Sequence, residues 1–275
     1  MKINRIWAIF ILMLGLVLMA YGGGRLLLAQ QSYEEANSAY NDISTLVRTA
    51  QDIGAGAGVG VSGNMGLGAQ TQWDDSFGLQ DENTQGAKAK PVIDFEKLRS
   101  VSKDAAAWLY NPGTVIDYPV MQAEDYSYYL DRLPDGTRNA NGSLFIDYNS
   151  AADFSGRLTV IYGHHMKSGR MFGSLVGYKS QSYFEKHPYM YLYTEAGDYR
   201  IDLVYGSIID AGQWRDRAFM YEENIDALLT YAAHNTSFKS QVQYGDEDRI
   251  VVLSTCSYEF DDARYVVVGV LKPLI

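Results

Sequence analysis

Cysteine is almost absent from this sequence, since Cys256 is the only one in 275 residues. A disulfide within the chain is therefore excluded. With only four histidines, a structural zinc site is not expected either, because such sites take several Cys and His ligands. Positive charge is also scarce, with 23 Lys and Arg against 33 Asp and Glu and a net charge of −10. That balance argues against a nucleic-acid-binding face. We expect no metal, no other cofactor and no nucleic-acid partner.

One long segment near the N-terminus lacks charge altogether. Lys2 and Arg5 precede 19 uncharged, mostly apolar residues, Ile6 to Gly24. At about 1.5 Å per residue, a helix of this length just spans a bilayer core. The alternative is a cleaved signal peptide, whose apolar region is shorter, about 7–15 residues, and ends in a small-x-small cleavage site. We predict an uncleaved transmembrane anchor over residues 1–29, with a cytoplasmic N-terminus and the rest of the chain outside the cell.

Two further segments separate this anchor from the globular part of the chain. Ser32 and Glu35 form a capping-box pattern, and apolar residues then recur every three or four positions, which predicts an amphipathic stalk helix over residues 30–52. This helix either lies on the main domain or self-associates. Residues 53–90 are rich in Gly, Gln, Asn and Asp and predict a flexible linker. We expect the remaining domain, residues 91–275, to fold and act alone, because no core strand is predicted upstream of it.

The single cysteine stands where an apolar strand meets a polar loop. Ile250 to Leu253 form a short β-branched run that predicts a buried strand, and Tyr265 to Val268 form another. Cys256 lies at the start of the intervening loop and Arg264 at its end. A lone cysteine is most often a small buried hydrophobe. An unpaired thiol outside the cell, facing a cation across a short loop, instead indicates a reactive nucleophile.

A basic partner for this thiol follows a different strand. Leu158 to Tyr162 form an apolar run that ends at Gly163, and His164 comes next. A lone histidine is more often a surface residue or a satisfied core residue than a catalytic one. A Gly-His step directly after a buried strand is harder to explain in that way. If the two strands are neighbours, His164 and Cys256 can form the thiolate–imidazolium pair that activates a cysteine nucleophile.

These motifs resemble the catalytic signature of the sortase family, and most closely that of class B. The similarity is carried by Tyr162-Gly163-His164, by Leu253-Ser254-Thr255-Cys256 and by Arg264, with support from Ala107-Trp108-Leu109, from Pro112 to Val120, from Asn141 to Phe145 and from Met171-Phe172. It runs in order from about Val92 to Leu271. Two positions depart from the family pattern. Val252 stands where the family has threonine, and His165 stands where many relatives have asparagine. The family's histidine is the one directly after the glycine, His164.

The resemblance implies a mainly β fold with helices, an eight-stranded barrel, in agreement with the many short strands in the sequence. It implies a cysteine transpeptidase in which Cys256 forms a thioacyl intermediate, His164 is the general acid and base, and Arg264 holds the substrate or the oxyanion. Ser254 and Thr255 are assigned to substrate binding. The implied partners are a sorting-motif peptide of a secreted protein and a cell-wall amine, from a peptidoglycan precursor or cross-bridge. The alternatives are a pilin-polymerising sortase and an inactive exported binding module.

Overall fold

The computed structural model describes residues 5–48, 91–256 and 261–274, with the backbone alone for residues 5–11 and Cys256. The α-helices within these ranges are α1 Arg5–Val47, α2 Phe95–Val101, α3 Gln181–Lys186, α4 Ala211–Asp216 and α5 Ile225–His234. The strands are β1 Ala105–Tyr110, β2 Asp117–Met121, β3 Leu144–Ile146, β4 Leu158–Tyr162, β5 Tyr189–Thr194, β6 Gly197–Asp210, β7 Arg249–Cys256 and β8 Ala263–Pro273. Short 3₁₀ segments lie at Tyr128–Leu130, Phe172–Lys179 and Glu222–Asn224.

The strands close into a barrel in the order β1-β2-β3-β4-β7-β8-β6-β5. Neighbouring strands are antiparallel except for two parallel pairs, β2 with β3 and β4 with β7. The predicted eight-stranded barrel is therefore confirmed. The predicted helix before the cysteine strand is also present, as α5 with the 3₁₀ turn that precedes it. Helix α4 was not predicted. It begins where the Asp210 side chain accepts a hydrogen bond from the Gln213 backbone N–H, an N-cap hidden at the end of a long strand.

Strands β4, β7 and β8 are apolar on both faces because both faces are covered. Their inward residues, such as Ile161, Leu253 and Val267, belong to the barrel interior. Their outward residues, such as Val160 and Val252, pack with a second cluster that includes the apolar side of α5. Strands buried on both sides read as continuous apolar runs rather than as an alternating pattern. This explains why these three strands are the easiest to locate in the sequence.

Helix α1 runs without interruption from the apolar N-terminal segment into the predicted stalk helix. The predicted helix start at Ser32 is therefore wrong, and the Gln30 and Glu34 side chains form a hydrogen bond of 3.0 Å across that position. Among the described residues, this is the one helix long and apolar enough to cross a membrane. Its large apolar side chains from Leu12 to Leu28 are exposed.

The last part of α1 lies on the barrel, so the expectation that no part of the core precedes Pro91 is wrong. Ala36, Tyr40, Ile43 and Val47 are all buried, and they recur at spacings of four, three and four residues on one helix face. Of the two alternatives for this helix, the structure has the one in which it packs on the main domain. The predicted linker, residues 53–90, lies outside the described residues. The predicted domain boundaries remain predictions.

The C-terminal end of α1 is fixed to the first two strands. Arg48 forms an ion pair with Asp117, whose other carboxylate oxygen accepts a hydrogen bond of 2.7 Å from the Trp108 indole N–H. The backbone N–H of Asp94 donates to the carbonyl of Val47 at 2.8 Å. Trp108 is buried under these contacts. The helix therefore ends at a defined place on the barrel wall.

Candidate active site

Strands β4 and β7 carry the predicted histidine and cysteine, and they are parallel neighbours. Tyr162 pairs with Ser254 in their register, and the Gly163 backbone N–H donates to the Ser254 carbonyl at 3.1 Å. Because parallel strands end at the same edge of a sheet, His164 and Cys256, each two positions further on, are brought to one edge of the barrel. The adjacency on which the predicted thiolate–imidazolium pair depends is present.

Arg264 reaches the same edge from β8. The hairpin of β7 and β8 is antiparallel, and its last pair places Cys256 directly opposite Arg264. In such a pair the two Cα atoms lie about 4.5–5.5 Å apart. Positions 164, 256 and 264 therefore belong to three adjacent strands and meet at one end of the barrel.

The ring of His164 is held by a backbone carbonyl. Its Nε2 lies 2.6 Å from the carbonyl oxygen of Leu130, at the end of the 3₁₀ segment Tyr128–Leu130. A carbonyl oxygen can only accept a hydrogen bond, so Nε2 carries the proton in this arrangement. In the neutral ring, Nδ1 is then the nitrogen with the lone pair. The backbone of His164 is fixed as well, because its carbonyl accepts from the Phe172 N–H at 3.0 Å.

Two glycines make room for this ring and for the turn that carries it. A Cβ atom on Gly163 would overlap the Leu144 side chain and would lie 2.7 Å from Phe172 Cδ2, which explains glycine in the Tyr-Gly-His motif. A Cβ on Gly142 would lie 2.9 Å from His164 Cδ2 and 2.6 Å from the Leu130 carbonyl oxygen. Gly142 also has a φ of +57°, a conformation that L side chains rarely adopt.

The second histidine of the motif has different surroundings. The backbone of His165 pairs with that of Met171, and a Cβ atom on Gly173 would lie 3.6 Å from His165 Cδ2. The ring of His164 lies instead over Gly142 and contacts Leu130. The two imidazoles therefore face different parts of the fold, and His164 is the one whose orientation is set at the edge shared with Cys256.

Arg264 is half-buried, and its Nε atom is buried with no hydrogen-bond partner among the described residues. A buried donor without an acceptor is costly, typically by about 1–3 kcal/mol. Asp261 and Asp262, which flank the arginine in sequence, are exposed. A guanidinium N–H at this edge is suited to an anionic or carbonyl oxygen.

Ser254 and Thr255 do not present their side chains to solvent. Each is only 1% exposed, and neither hydroxyl has a hydrogen-bond partner among the described residues. The predicted contact of these hydroxyls with a substrate is therefore not accessible in this conformation. The backbone of Ser254 serves instead to register β7 against β4, through its carbonyl and the Gly163 N–H.

The strand below His164 is anchored by a buried tyrosine–aspartate pair. The hydroxyl of Tyr162 donates to Asp147 Oδ2 at 2.9 Å, and both residues are buried. Burial raises the pKa of Tyr162 well above its ordinary value, with the nearby Asp147 charge acting in the same direction. The hydroxyl therefore stays protonated and remains a donor. Asn149 supplies two further hydrogen bonds to the other oxygen of Asp147.

The most voluminous cavity lies elsewhere. An open hollow of about 900 Å³ is lined by residues at the C-terminal ends of β2 and β3, among them Gln122 and Tyr148. Because β3 and β4 are antiparallel, that edge of the barrel is opposite to the one that carries His164. None of the five predicted site residues lines the hollow. Within the described part of the chain, no group of three or more His, Cys, Asp or Glu side chains could hold a metal ion.

Two site features were missed from the sequence. The carbonyl of Leu130 has no side-chain signal, because any residue can supply it. Gly142 was noted as part of an Asn-Gly turn and of the family resemblance, but its contact with the His164 ring was not predicted. Its position between two polar residues gave the turn and not the packing.

Comparisons with known proteins give consistent relatives, although no family model matches the sequence. The chain is 29% identical over 208 residues to sortase B of Listeria monocytogenes, covering 74% of this chain and 84% of that protein. A Staphylococcus aureus sortase B–substrate complex has a TM-score of 0.61 and 28% identity, covering 66% of this chain and 86% of that one. The same sortase complexed with triglycine has a TM-score of 0.60 and 27% identity over the same shares.

A third relative is a class B sortase of Streptococcus pyogenes involved in pilus biogenesis. It has a TM-score of 0.59 and 28% identity, and the match covers 65% of this chain and 97% of that one. The sequence relative and the solved structures agree with the barrel and with the order of the motifs along the chain. The chain is a sortase of class B.

Proposed function

We propose that this chain is a membrane-anchored cysteine transpeptidase that cleaves a sorting motif in secreted proteins and transfers them to a cell-wall amine. The observation that carries the proposal is the adjacency of β4, β7 and β8, which brings positions 164, 256 and 264 to one barrel edge. A sortase is a transpeptidase in general, so the proposal lies in the residue roles, the substrate and the acceptor.

The reaction has two halves that share one thioester. Cys256, as the thiolate, attacks a backbone carbonyl carbon of the sorting peptide. The C–N bond breaks, and imidazolium His164 gives its proton to the leaving amine. An incoming amine then attacks the thioester carbon, His164 takes a proton from that amine, and the thiolate of Cys256 leaves. The acyl group has then moved from one amine to another with no net change in the enzyme.

The hydrogen bond to Leu130 assigns the two nitrogens of His164 to different tasks. Nε2–H donates to the carbonyl and keeps the ring in place. Nδ1 is then the nitrogen that carries the proton between the thiol and the two amines. The carbonyl dipole also stabilises the imidazolium, because both ring nitrogens are donors in that state.

Arg264 completes the set as the donor to the developing oxyanion. Support comes from its register position opposite Cys256 and from its buried Nε without an acceptor among the described residues. A fixed cation in a partly dry site stabilises a tetrahedral intermediate more strongly than water does. Lysine would keep the charge but lose the planar fork of donors.

Helix α1 supplies the proposed single-pass anchor. Its apolar part from Leu12 is long enough to cross a membrane, and Lys2 and Arg5 favour a cytoplasmic N-terminus. The catalytic domain then lies outside the cell. The triglycine complex of the Staphylococcus aureus relative favours an amine nucleophile of the cell-wall cross-bridge class. The pilus relative keeps a lysine of another protein subunit as the second candidate acceptor.

Variants of the purified full chain in detergent test the residue roles. Cleavage of a sorting-peptide library and transfer to added amines are read by mass. Cys256→Ala should abolish both, and His164→Ala should nearly do so. His165→Ala is the matched control and should keep most activity. Turnover by Cys256→Ala would overturn the assignment, and loss only in His165→Ala would show that the wrong histidine was chosen.

The same preparation separates the alternatives. A catalytic Cys256 should be alkylated by iodoacetamide at neutral pH faster than a model thiol, because a paired thiolate is the reactive species. Labelling only after denaturation would favour an inactive binding module. Oligoglycine and a lysine-containing pilin-like peptide are then offered as competing acceptors. Transfer mainly to the lysine side chain would favour pilus assembly over wall anchoring.

A further inference from the structure

Helix α1 does more than connect the barrel to the N-terminal apolar segment, because it grips one loop of the barrel. This loop comprises residues 139–143 and is called the Gly142 loop. The Nδ2 atoms of Asn139 and Asn141 both donate to the Ser32 carbonyl, at 3.0 and 3.2 Å. Two turns further along the helix, the hydroxyl of Tyr40 donates to the Gly142 carbonyl at 2.5 Å.

Tyr40 is built into this contact rather than resting on it. It is 7% exposed, and its hydroxyl also lies 3.2 Å from Ser143 Oγ. Its ring packs edge to face against Tyr118, with centroids 5.1 Å apart. The two hydrogen-bond partners are more than 100 residues away in sequence. The hydroxyl therefore fixes the Gly142 loop against a helix that comes from outside the barrel.

The opposite side of the Gly142 loop touches the proposed acid and base. Gly142 lies against the His164 ring so closely that a Cβ atom would sit 2.9 Å from Cδ2. Ser143 donates from its N–H to the Tyr129 carbonyl and from its hydroxyl to the Arg132 carbonyl, both at 2.9 Å. These two bonds bracket Leu130, whose carbonyl accepts from His164 Nε2.

We propose that Tyr40 is a positioning residue for His164, acting through the Gly142 loop. The helix that carries the membrane segment thus forms the back of the active site: Tyr40 holds Gly142 and Ser143, and these hold the ring and its carbonyl acceptor. This inference rests on the proposed role of His164 in proton transfer. It assigns a catalytic consequence to a helix that touches none of the three proposed catalytic positions.

Removal of the hydroxyl should act on turnover more than on substrate binding. Without it the buried Gly142 carbonyl loses its donor from the helix, and the loop beneath the ring can shift. A displacement of about 1 Å at a proton-transfer group can cost roughly 100-fold in rate. For Tyr40→Phe, which keeps the ring and its packing on Tyr118, we expect a fall in kcat of roughly 10- to 100-fold with little change in KM.

The test uses the full chain in detergent and a matched tyrosine. Tyr33 lies on the same helix and is partly buried against the same cluster, and the structure shows no hydrogen bond of its hydroxyl among the described residues. Tyr33→Phe should therefore leave kcat unchanged. Long-range ¹H–¹⁵N spectra report which ring nitrogen of each of the four histidines carries the proton, and His164→Gln identifies the signal. Tyr40→Phe should shift that signal, and Tyr33→Phe should not.

Ser143→Ala is the second variant, in case Tyr40→Phe does not fold. It removes the other partner of the Tyr40 hydroxyl and should lower kcat in the same direction by a smaller factor. Wild-type kcat in a folded Tyr40→Phe, or in Ser143→Ala if the first is insoluble, would overturn the inference. An unchanged His164 signal in a slowed variant would do the same. An active His164→Ala would instead defeat the proposed function itself, which keeps the two failures distinct.

Discussion

The tightest contact of the proposed site is at Gly142, and alanine at this position should damage both stability and activity. Gly142 adopts φ +57°, and its added Cβ would lie 2.6 Å from the Leu130 oxygen, 2.7 Å from the Tyr129 oxygen and 2.9 Å from His164 Cδ2. Two of these three neighbours are backbone atoms. They cannot turn aside as the end of a flexible side chain can, so the loop or the ring must move.

The cost has two parts. A left-handed φ costs an L residue roughly 1–2 kcal/mol relative to glycine. Overpacking against fixed neighbours adds about 1–3 kcal/mol. Together, Gly142→Ala should lower the free energy of unfolding by about 2–5 kcal/mol. At roughly 2–4 °C per kcal/mol for a domain of this size, the melting temperature should fall by about 5–15 °C.

Gly169 offers a control that isolates the clash. It has φ +75°, but a Cβ atom there would meet nothing within 4 Å. Gly169→Ala should therefore show only the backbone cost of about 1–2 kcal/mol. Unfolding is followed by circular dichroism, and peptide cleavage is measured well below both melting temperatures. Gly142→Ala should lose at least roughly 10-fold more kcat than Gly169→Ala, since it alone displaces the His164 ring. Equal stability and equal activity of the two variants would refute this packing.

Three further outcomes follow from the structure. Burial lowers the pKa of His187, so the unfolded state binds more protons below about pH 6.5 and stability falls as the pH drops from about 7.5 to about 5.5; His187→Gln should flatten that dependence in urea unfolding. Arg48→Ala removes the ion pair with Asp117 at the end of α1 and should speed proteolysis of the helix. Residues 91–275 should be less stable than residues 31–275 by roughly 5 kcal/mol in urea unfolding, because three large side chains of α1 leave the core. Equal midpoints of the two fragments would contradict that packing.

The sequence predicted the parts of the site that depend on local pattern. Apolar β-branched runs located the strands that end near His164 and Cys256, and both runs are buried strands in the barrel. The family resemblance predicted the closed barrel that makes these strands neighbours. The parallel pairing itself has no local signal, because β4 and β7 are separated by more than 80 residues of chain and by two other strands.

The sequence was misleading where a local signal competed with tertiary structure. The capping-box pattern at Ser32 is satisfied equally well inside a longer helix, and the apolar residues upstream continue α1 through it. The Ser32 carbonyl still bonds to the barrel, through Asn139 and Asn141. The stripe from Ala36 to Val47 was recognised as apolar, but the stripe alone does not identify the surface that covers it. Tyr40 meets the Gly142 carbonyl 102 residues away, a contact that no local pattern reports.

The packing of α1 changes the expected height of the active site above the membrane. A free-standing helix of about 30 Å followed by a flexible linker spanning roughly 35 Å would carry the barrel several nanometres away. The helix instead touches the Gly142 loop at Tyr40, 15 residues beyond Arg25, the first charge after the apolar run. At about 1.5 Å per residue this is about 22 Å along the helix axis. With the proposed anchor, the site therefore works close to the membrane surface. Because a continuous helix sets this height, the sorting peptide and the amine must both come within reach of the membrane.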